Sequence, residues 1–311
     1  MARVVVASAY GGPEVLSVVD LPVGAPAGGE VLIAVRAAGV NPIDQKRYSG
    51  AFGTDPAALP MRLGFEVAGV VAEVGPGVTE VEPGQEVIGY RVDGGYASEL
   101  IAPVTSLTPK PGTLDWPEAS GLMLTGATAW HCLAAARVES GDTVLIHGGS
   151  GGVGTMAVQL AVGRGATVIA TSSPARHEFL RELGAIPVEY GPGLAGRVRL
   201  AAPDGVTAAI DMIGSDEATD VSLELVPDRS RIVTIVQSQR SREAGIKALG
   251  GGPGADPGTE IREAARAQLA RLAGEGSLKV FVSETFPLAD AAEAHRAIGT
   301  RHVQGKIALI P

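Results

Sequence analysis

From residue 1 to about residue 119, short apolar runs alternate with turn signals: RVVVASA, EVLIAVRAAGV, FEVAGVVAEVG, QEVIGY and SELIAP are separated by GG, PG and DGG. Runs rich in Val and Ile and bounded by Gly and Pro predict bent strands of an all-β unit rather than βαβ units. After about residue 120 the texture changes. TVLIHG, TVIATS, TAAIDMIG and RIVTIVQS are continuous apolar runs separated by helix-length segments, the alternation of a parallel sheet covered by helices on both faces. The stretch GGGPGADPG at 250–258 is too rich in Gly and Pro for a helix or a central strand, and reads as a mobile surface loop or a plain linker. A helix over EIREAARAQLARLAGEG, a strand over LKVFVSE, an amphipathic segment LADAAEAHRAI and a closing strand GKIALIP follow.

One strand, turn and helix carry candidate chemistry. In VLIHGGSGGVGTMAVQLAVGRG, Gly149, Gly151 and Gly154 fall at G-x-G-x-x-G spacing. The spacing suits a tight turn after the strand, close approach of backbone N–H groups to a pyrophosphate, and close packing of helix on sheet. The chain holds 43 glycines, so the triplet gains its weight from the strand before it and the helix after it. Val153, Met156, Ala157, Leu160 and Ala161 form one buried helical face, and Gly163 and Gly165 stop the helix. The segment Gly149, Ser150, Gly151, Gly152, Val153, Gly154 is therefore expected to hold the phosphates of a dinucleotide.

The next strand, TVIAT, should end at the adenosine ribose, where a carboxylate would bind the free 2′-hydroxyl of NAD. Ser172, Ser173 and Arg176 stand there instead, with no acid among them. Hydroxyls and a guanidinium suit a 2′-phosphate, which favours NADPH. Ser173-Pro174 also reads as a helix cap with proline at the first helical position. Capping does not explain Arg176, whose charge in a first helical turn opposes the macrodipole.

Charge and cysteine content narrow the setting. A formal net charge of −9 argues against a binder of the nucleic-acid backbone. The single Cys132 excludes an intrachain disulfide and a multi-thiolate zinc site, and fits a reducing, cytoplasmic compartment. The N-terminal stretch lacks a signal-peptide core, and no apolar run reaches membrane-spanning length.

Taken in order, AAGVNPIDQKRYSG, LGFEVAGVVAEVGPGV, PGQEVIGY, GGYASELIAP, LTGATAW, HGGSGGVGTMAVQLA and the closing QGKIALIP resemble the zinc-independent quinone oxidoreductases of the medium-chain dehydrogenase/reductase superfamily. The resemblance runs nearly end to end. It implies a GroES-like β-rich catalytic domain from 1–119 and 246–311 and a doubly wound Rossmann NADPH-binding domain over 120–245. It also implies a homodimer formed through the edge of the Rossmann sheet. In the superfamily's alcohol dehydrogenases a Gly-His-Glu supplies a catalytic zinc ligand. Here Phe65 takes the histidine place and Asn41 stands near the usual cysteine, so no metal is expected. His131, His147, His177, His295 and His302 show no ligand spacing and read as satisfied structural or surface residues.

Carried over residue by residue, the resemblance places Asn41 near the nicotinamide and Thr128 beside it, although Thr128 also fits a helix-interior threonine bonding its own backbone. Tyr190 lies near the tyrosine that helps hold the 2′-phosphate. Ile235 and Val236 offer backbone groups to the nicotinamide amide, and Lys306 matches the family's terminal Gly-Lys, with Gln304 where the family has arginine. The family tyrosine beside the nicotinamide is replaced by Lys46, with Tyr48 two places on. Lys46 and Tyr48 are the candidate proton donors, and Tyr48 fits a packing aromatic equally well. The expectation is zinc-independent, NADPH-dependent hydride transfer to a quinone or α,β-unsaturated carbonyl compound. An enoyl-thioester or biosynthetic enone reductase, and an NADPH-binding sensor without efficient turnover, are the alternatives.

Overall fold

The computed structural model describes residues 1–300 and 303–311. The chain divides into two compact units, Met1–Leu124 with Arg266–Pro311, and Thr125–Ala265. The breaks fall inside helices Trp116–Ala135 and Thr259–Gly274 rather than at 119/120 and 245/246. The physical reason at the second break is the strand Lys247–Ala248, which pairs in parallel with Ile232–Thr234 and so keeps the chain beyond 246 in the second unit.

In the first unit the five expected strands are Ala2–Ala7, Glu30–Val40, Glu66–Val74, Glu86–Tyr90 and Glu99–Pro103. A seven-stranded sheet runs Val282–Pro287, Lys306–Ile310, Glu30–Val40, Glu66–Val74, Glu86–Tyr90, Leu107–Pro109, with Glu99–Pro103 also on Glu30–Val40. Glu30–Val40 bends through register shifts at Leu32/Ile33 and Val35/Ala37, which lets one long strand serve two neighbours. The returning strand Lys306–Ile310 pairs antiparallel with that same strand, Ile307 opposite Val40. This pairing brings Lys306 to the end of Glu30–Val40, beside Asn41. The strand expected over LKVFVSE forms later, at Val282–Pro287. The core holds Val5, Ile33, Tyr48, Leu63, Tyr96, Leu100 and Leu309.

The second unit is a six-stranded parallel sheet in the order Ile186–Glu189, Thr167–Ser172, Thr143–His147, Ala208–Asp211, Ile232–Thr234, Lys247–Ala248. The order reverses direction at Thr143–His147, and ligands of such sheets bind at the carboxyl ends of strands beside that switch. The glycine loop leaves this strand. The Gly/Pro stretch 250–258 is closed by Asp256: its N–H donates to Ala248 O (2.9 Å), its carbonyl accepts from Gly250 N (2.8 Å), and its carboxylate meets Lys247 Nζ at 2.7 Å.

Candidate functional site

In the second unit, strand Thr143–His147 turns at Gly148, whose φ of +81° only glycine adopts without strain. The expected turn residue, Gly149, is confined for another reason. A Cβ there would lie 2.7 Å from Ala170 Cβ on the neighbouring strand. A Cβ on Gly154 would meet Gly148 O at 2.1 Å, so that glycine lets helix Gly152–Gly163 sit against the turn. Gly151 differs. Its backbone is extended (φ −78°) and an added Cβ would touch only Gly148 O, at an ordinary 3.6 Å. The helix starts there with no side-chain cap, so its leading N–H groups have no partner within the helix. Ser150, Gly152 and Val153 line the same bend. This cradle fits a pyrophosphate by geometry and by the helix dipole.

Four further expected residues are brought together beside it. Ser172 ends the second strand, and Ser172 pairs with Glu189 across the parallel ladder, which sets Ser173 and Tyr190 side by side just beyond the two strand ends. Tyr190 is exposed. Ser173 occupies the cap position before Pro174, but its hydroxyl makes no capping bond. Arg176 does not lie within the first turn of an α-helix as expected: it closes the 3₁₀ turn Pro174–Arg176 and precedes the helix His177–Glu182. Ile235 and Val236 follow strand Ile232–Thr234, with Ile235 N donating to Asp211 O (3.0 Å) and Val236 N to Thr234 Oγ1 (3.1 Å).

Thr128 is buried, and its hydroxyl accepts from Arg262 Nη1 at 3.2 Å. Arg262 Nε in turn donates to His131 Nδ1 at 3.3 Å. Burial and then this guanidinium lower the His131 pKa, keeping the ring neutral with its proton on Nε2. That nitrogen is buried without a hydrogen-bond partner, Asp256 Oδ2 standing 3.7 Å away, so the expectation of a satisfied histidine fails here. His177 Nε2 is likewise unpartnered, whereas His147 Nε2 lies 3.1 Å from Ser222 Oγ. His302 lies outside the described residues. Arg262 was not singled out by sequence, since an arginine in an amphipathic helix carries no local signal of burial.

In the first unit Asn41 and Lys306 are only 1% and 4% exposed and engage each other. Lys306 Nζ donates to Asn41 Oδ1 (2.5 Å), Val40 O (2.9 Å) and Glu66 Oε1 (3.0 Å). Asn41 Nδ2 donates to Gly39 O and Glu66 Oε1, both at 3.0 Å. Glu66, fully buried, also accepts from Leu124 N at 2.8 Å. Asn41 and Lys306 thus share a buried network with Glu66, because a buried ammonium and carboxylate each require several partners. Glu66 is the residue sequence reasoning passed over. Its signal was a carboxylate inside the apolar run FEVAGVV.

Tyr48, one of the two candidate proton donors, lies in the core of the first unit. Tyr48 is fully buried, with Oη 3.0 Å from His295 Nδ1; His295 Nε2 lies 3.2 Å from Tyr96 Oη, which donates to Asp44 Oδ2 at 3.0 Å. Burial holds His295 near pKa 4, so its neutral ring has one donor and one acceptor. With Tyr96 donating to Asp44, the consistent chain runs Tyr48 O–H to His295 Nδ1 and His295 Nε2–H to Tyr96 Oη. The Tyr48 proton is committed inside the core, and burial raises its pKa besides. Lys46, half-buried on helix Pro42–Tyr48, is the other residue expected to act as a proton donor.

Burial pushes the Asp44 carboxyl up to about 6, against hydrogen bonds from Gly64 N and Tyr96. Because the folded value exceeds the unfolded one, this group's stabilising contribution is full below pH ~4 and is lost as pH rises through ~6. Asp44→Asn removes the titration. Its stability relative to the parent should therefore rise by about 2 kcal/mol between pH 4 and 7. Urea unfolding of both proteins across that range measures the difference, and parallel curves would show that Asp44 titrates normally.

Among the described residues, no group of three or more His, Cys, Asp or Glu is arranged to hold a metal ion. Phe65 is half-buried, with the Arg47 guanidinium 5.3 Å from its ring centroid. Burial pushes the Cys132 thiol up to about 12. No helix among the described residues is long and apolar enough to cross a membrane.

Comparison with known proteins bears on this arrangement. The family described as alcohol dehydrogenase GroES-like domain matches residues 27–112, and the one described as zinc-binding dehydrogenase matches residues 193–309. The quinone oxidoreductase of Rattus norvegicus is 31% identical, over 96% of this chain and 93% of that protein. The chain belongs to the quinone oxidoreductase-like medium-chain dehydrogenases/reductases. Two solved structures agree with the assignment. Escherichia coli quinone oxidoreductase complexed with NADPH superposes with a TM-score of 0.86 at 27% identity, covering 100% of both chains. A structure described as an NAD-dependent alcohol dehydrogenase superposes with a TM-score of 0.87 at 30% identity, covering 99% of each. This member of the superfamily has the GroES-like and Rossmann-like parts that the sequence pattern and resemblance implied.

Proposed function

We propose that this reductase transfers hydride from NADPH to a quinone or an α,β-unsaturated carbonyl compound. The observation that carries the cofactor choice is the segment that leaves strand Thr167–Ser172, where Ser172, Ser173 and Arg176 follow one another with no acid in the segment and Tyr190 stands beside Ser173 at the end of the neighbouring strand. Ser and Tyr hydroxyls and a guanidinium are the donors a 2′-phosphate needs. The E. coli quinone oxidoreductase solved with NADPH supports the same cofactor, and the quinone oxidoreductase of rat supports the acceptor class.

When bound, NADPH supplies a hydride, that is, two electrons and one proton, and one further proton completes the hydroquinone or the saturated carbonyl product. The chain's own part is to bind and orient. The Gly151 turn receives the pyrophosphate, Ser172, Ser173 and Arg176 receive the 2′-phosphate, and Thr128, Ile235 and Val236 serve the nicotinamide end. With the Tyr48 proton committed to His295, Lys46, backbone N–H groups and solvent remain to supply the last proton. A quinone suits this arrangement, because a hydroquinone anion leaves as a stable product that water protonates.

The test is cofactor discrimination. Arg176→Ala should weaken NADPH by about 1.5–3 kcal/mol, the range of a hydrogen bond to a charged group, and leave NADH nearly unchanged. Fluorescence titration with both cofactors measures it. Equal loss for both would assign Arg176 to the fold, and tighter NADH than NADPH in the parent protein would overturn the cofactor reading.

A further inference from the structure

The first unit contains a cleft of about 500 Å³ that none of the residues discussed above explains. Tyr10, Phe52, Met61, Asp55 and Arg47 line it. Phe52 is 40% exposed and presents its ring to this space. The Tyr10 side is fixed. Tyr10 Oη donates to Asp55 O (3.0 Å) and accepts from Asp55 N (2.9 Å), so its ring is held against the cleft. Asp55 is occupied too, its carboxylate accepting from Ala57 N at 2.9 Å as the cap of Pro56–Ala58.

Among the described residues, Arg47 is the one cation lining this space. Its guanidinium lies over Phe65, and among the described residues its hydrogen bonds run from Nη1 alone, to Arg62 O and Asp93 Oδ1, both at the outer limit of 3.5 Å. The Asp93 carboxylate is 76% exposed, so water screens that pair and leaves it weak. A guanidinium has five N–H donors in a planar fork. The remaining donors sit on a side chain only 30% exposed, within an aromatic-walled cleft.

We infer that this cleft binds an aromatic ring carrying an anionic substituent, the ring between Tyr10 and Phe52 and the anion on Arg47. Resting on the reductase reading above, the inference names the acceptor class as acidic quinones or acidic aryl enones, with Arg47 determining specificity.

Steady-state reduction of 1,4-naphthoquinone-2-sulfonate and of its neutral parent 1,4-naphthoquinone by NADPH tests the inference in the parent protein, Arg47→Gln and Arg47→Lys. Arg47→Gln should lower kcat/KM for the sulfonate by about tenfold or more, mainly through KM, the size of one charge-assisted contact. The neutral quinone and the KM for NADPH should stay within about twofold, and Arg47→Lys should keep part of the preference. Equal losses for both quinones, or none for either, would overturn it. Equilibrium binding of naphthalene-2-sulfonate, against neutral 2-naphthol, reads the site without turnover. If no quinone is reduced while NADPH binds, the reductase reading fails. The cleft inference then stands if the sulfonate binds and Arg47→Gln abolishes that binding, and falls if the variant binds it equally well.

Discussion

Lys306→Met should destabilise the protein by about 3–5 kcal/mol, the cost of leaving a buried charge without its partner. The variant keeps the aliphatic stem that packs near Gly121 but strands Glu66, whose Oε1 loses the ammonium at 3.0 Å and keeps only Asn41 Nδ2. Glu66 cannot turn to water, since it is 0% exposed and its Oε2 is tied to Leu124 N. Glu66→Gln paired with Lys306→Met should recover part of the loss, because neither charge is then buried alone. Urea unfolding of the single and double variants, followed by circular dichroism, gives the coupling. A loss below about 0.5 kcal/mol for Lys306→Met would place the pair among ordinary surface contacts.

Gly151→Val should weaken NADPH more than a hundredfold, with a melting temperature close to that of the parent. Two or more charge-assisted hydrogen bonds at about 1.5 kcal/mol each give that factor. The protein itself leaves room for the Cβ, its nearest neighbour standing at 3.6 Å, whereas the phosphates need the same space. Gly154→Ala makes the contrast, since its Cβ would stand 2.1 Å from a backbone oxygen and must displace the turn. That variant should lose both stability and cofactor. Calorimetric titration and thermal unfolding of the two variants separate the roles. If Gly151→Val binds NADPH normally, the loop is a structural turn and the cofactor lies elsewhere.

How much was legible in the sequence divides along sequence separation. The glycine loop, the buried face of the helix after it, and the Ser172–Arg176 segment are each contained within one strand-turn-helix, so spacing alone locates them. Even there the division of labour needed coordinates: Gly148 rather than Gly149 takes the left-handed turn, because which glycine carries positive φ depends on how the strand leaves its neighbour at Ala170. Strands Ala2–Ala7 through Glu99–Pro103 were readable from alternating apolar runs, while Met61–Arg62 and Lys247–Ala248 are two-residue strands that exist only because a partner supplies their hydrogen bonds.

The residues around Asn41 show the opposite case. Lys306 stands 265 positions from Asn41 and 240 from Glu66, and His295 stands 247 from Tyr48. Resemblance could nominate Asn41, Tyr48 and Lys306, but burial decides what a polar side chain does. A group withdrawn from water spends its hydrogen-bonding capacity on whatever the fold sets within about 3 Å. The sequence by itself determined the α/β class, the strand-turn-helix of the glycine loop and the absence of an acid in the segment Ser172–Arg176, all consequences of local periodicity and residue type. Only the tertiary structure decided that Tyr48 belongs to a buried chain ending at Asp44, that Lys306 answers Glu66, and that Arg47 faces a cleft, because each depends on segments joined by folding rather than by the backbone.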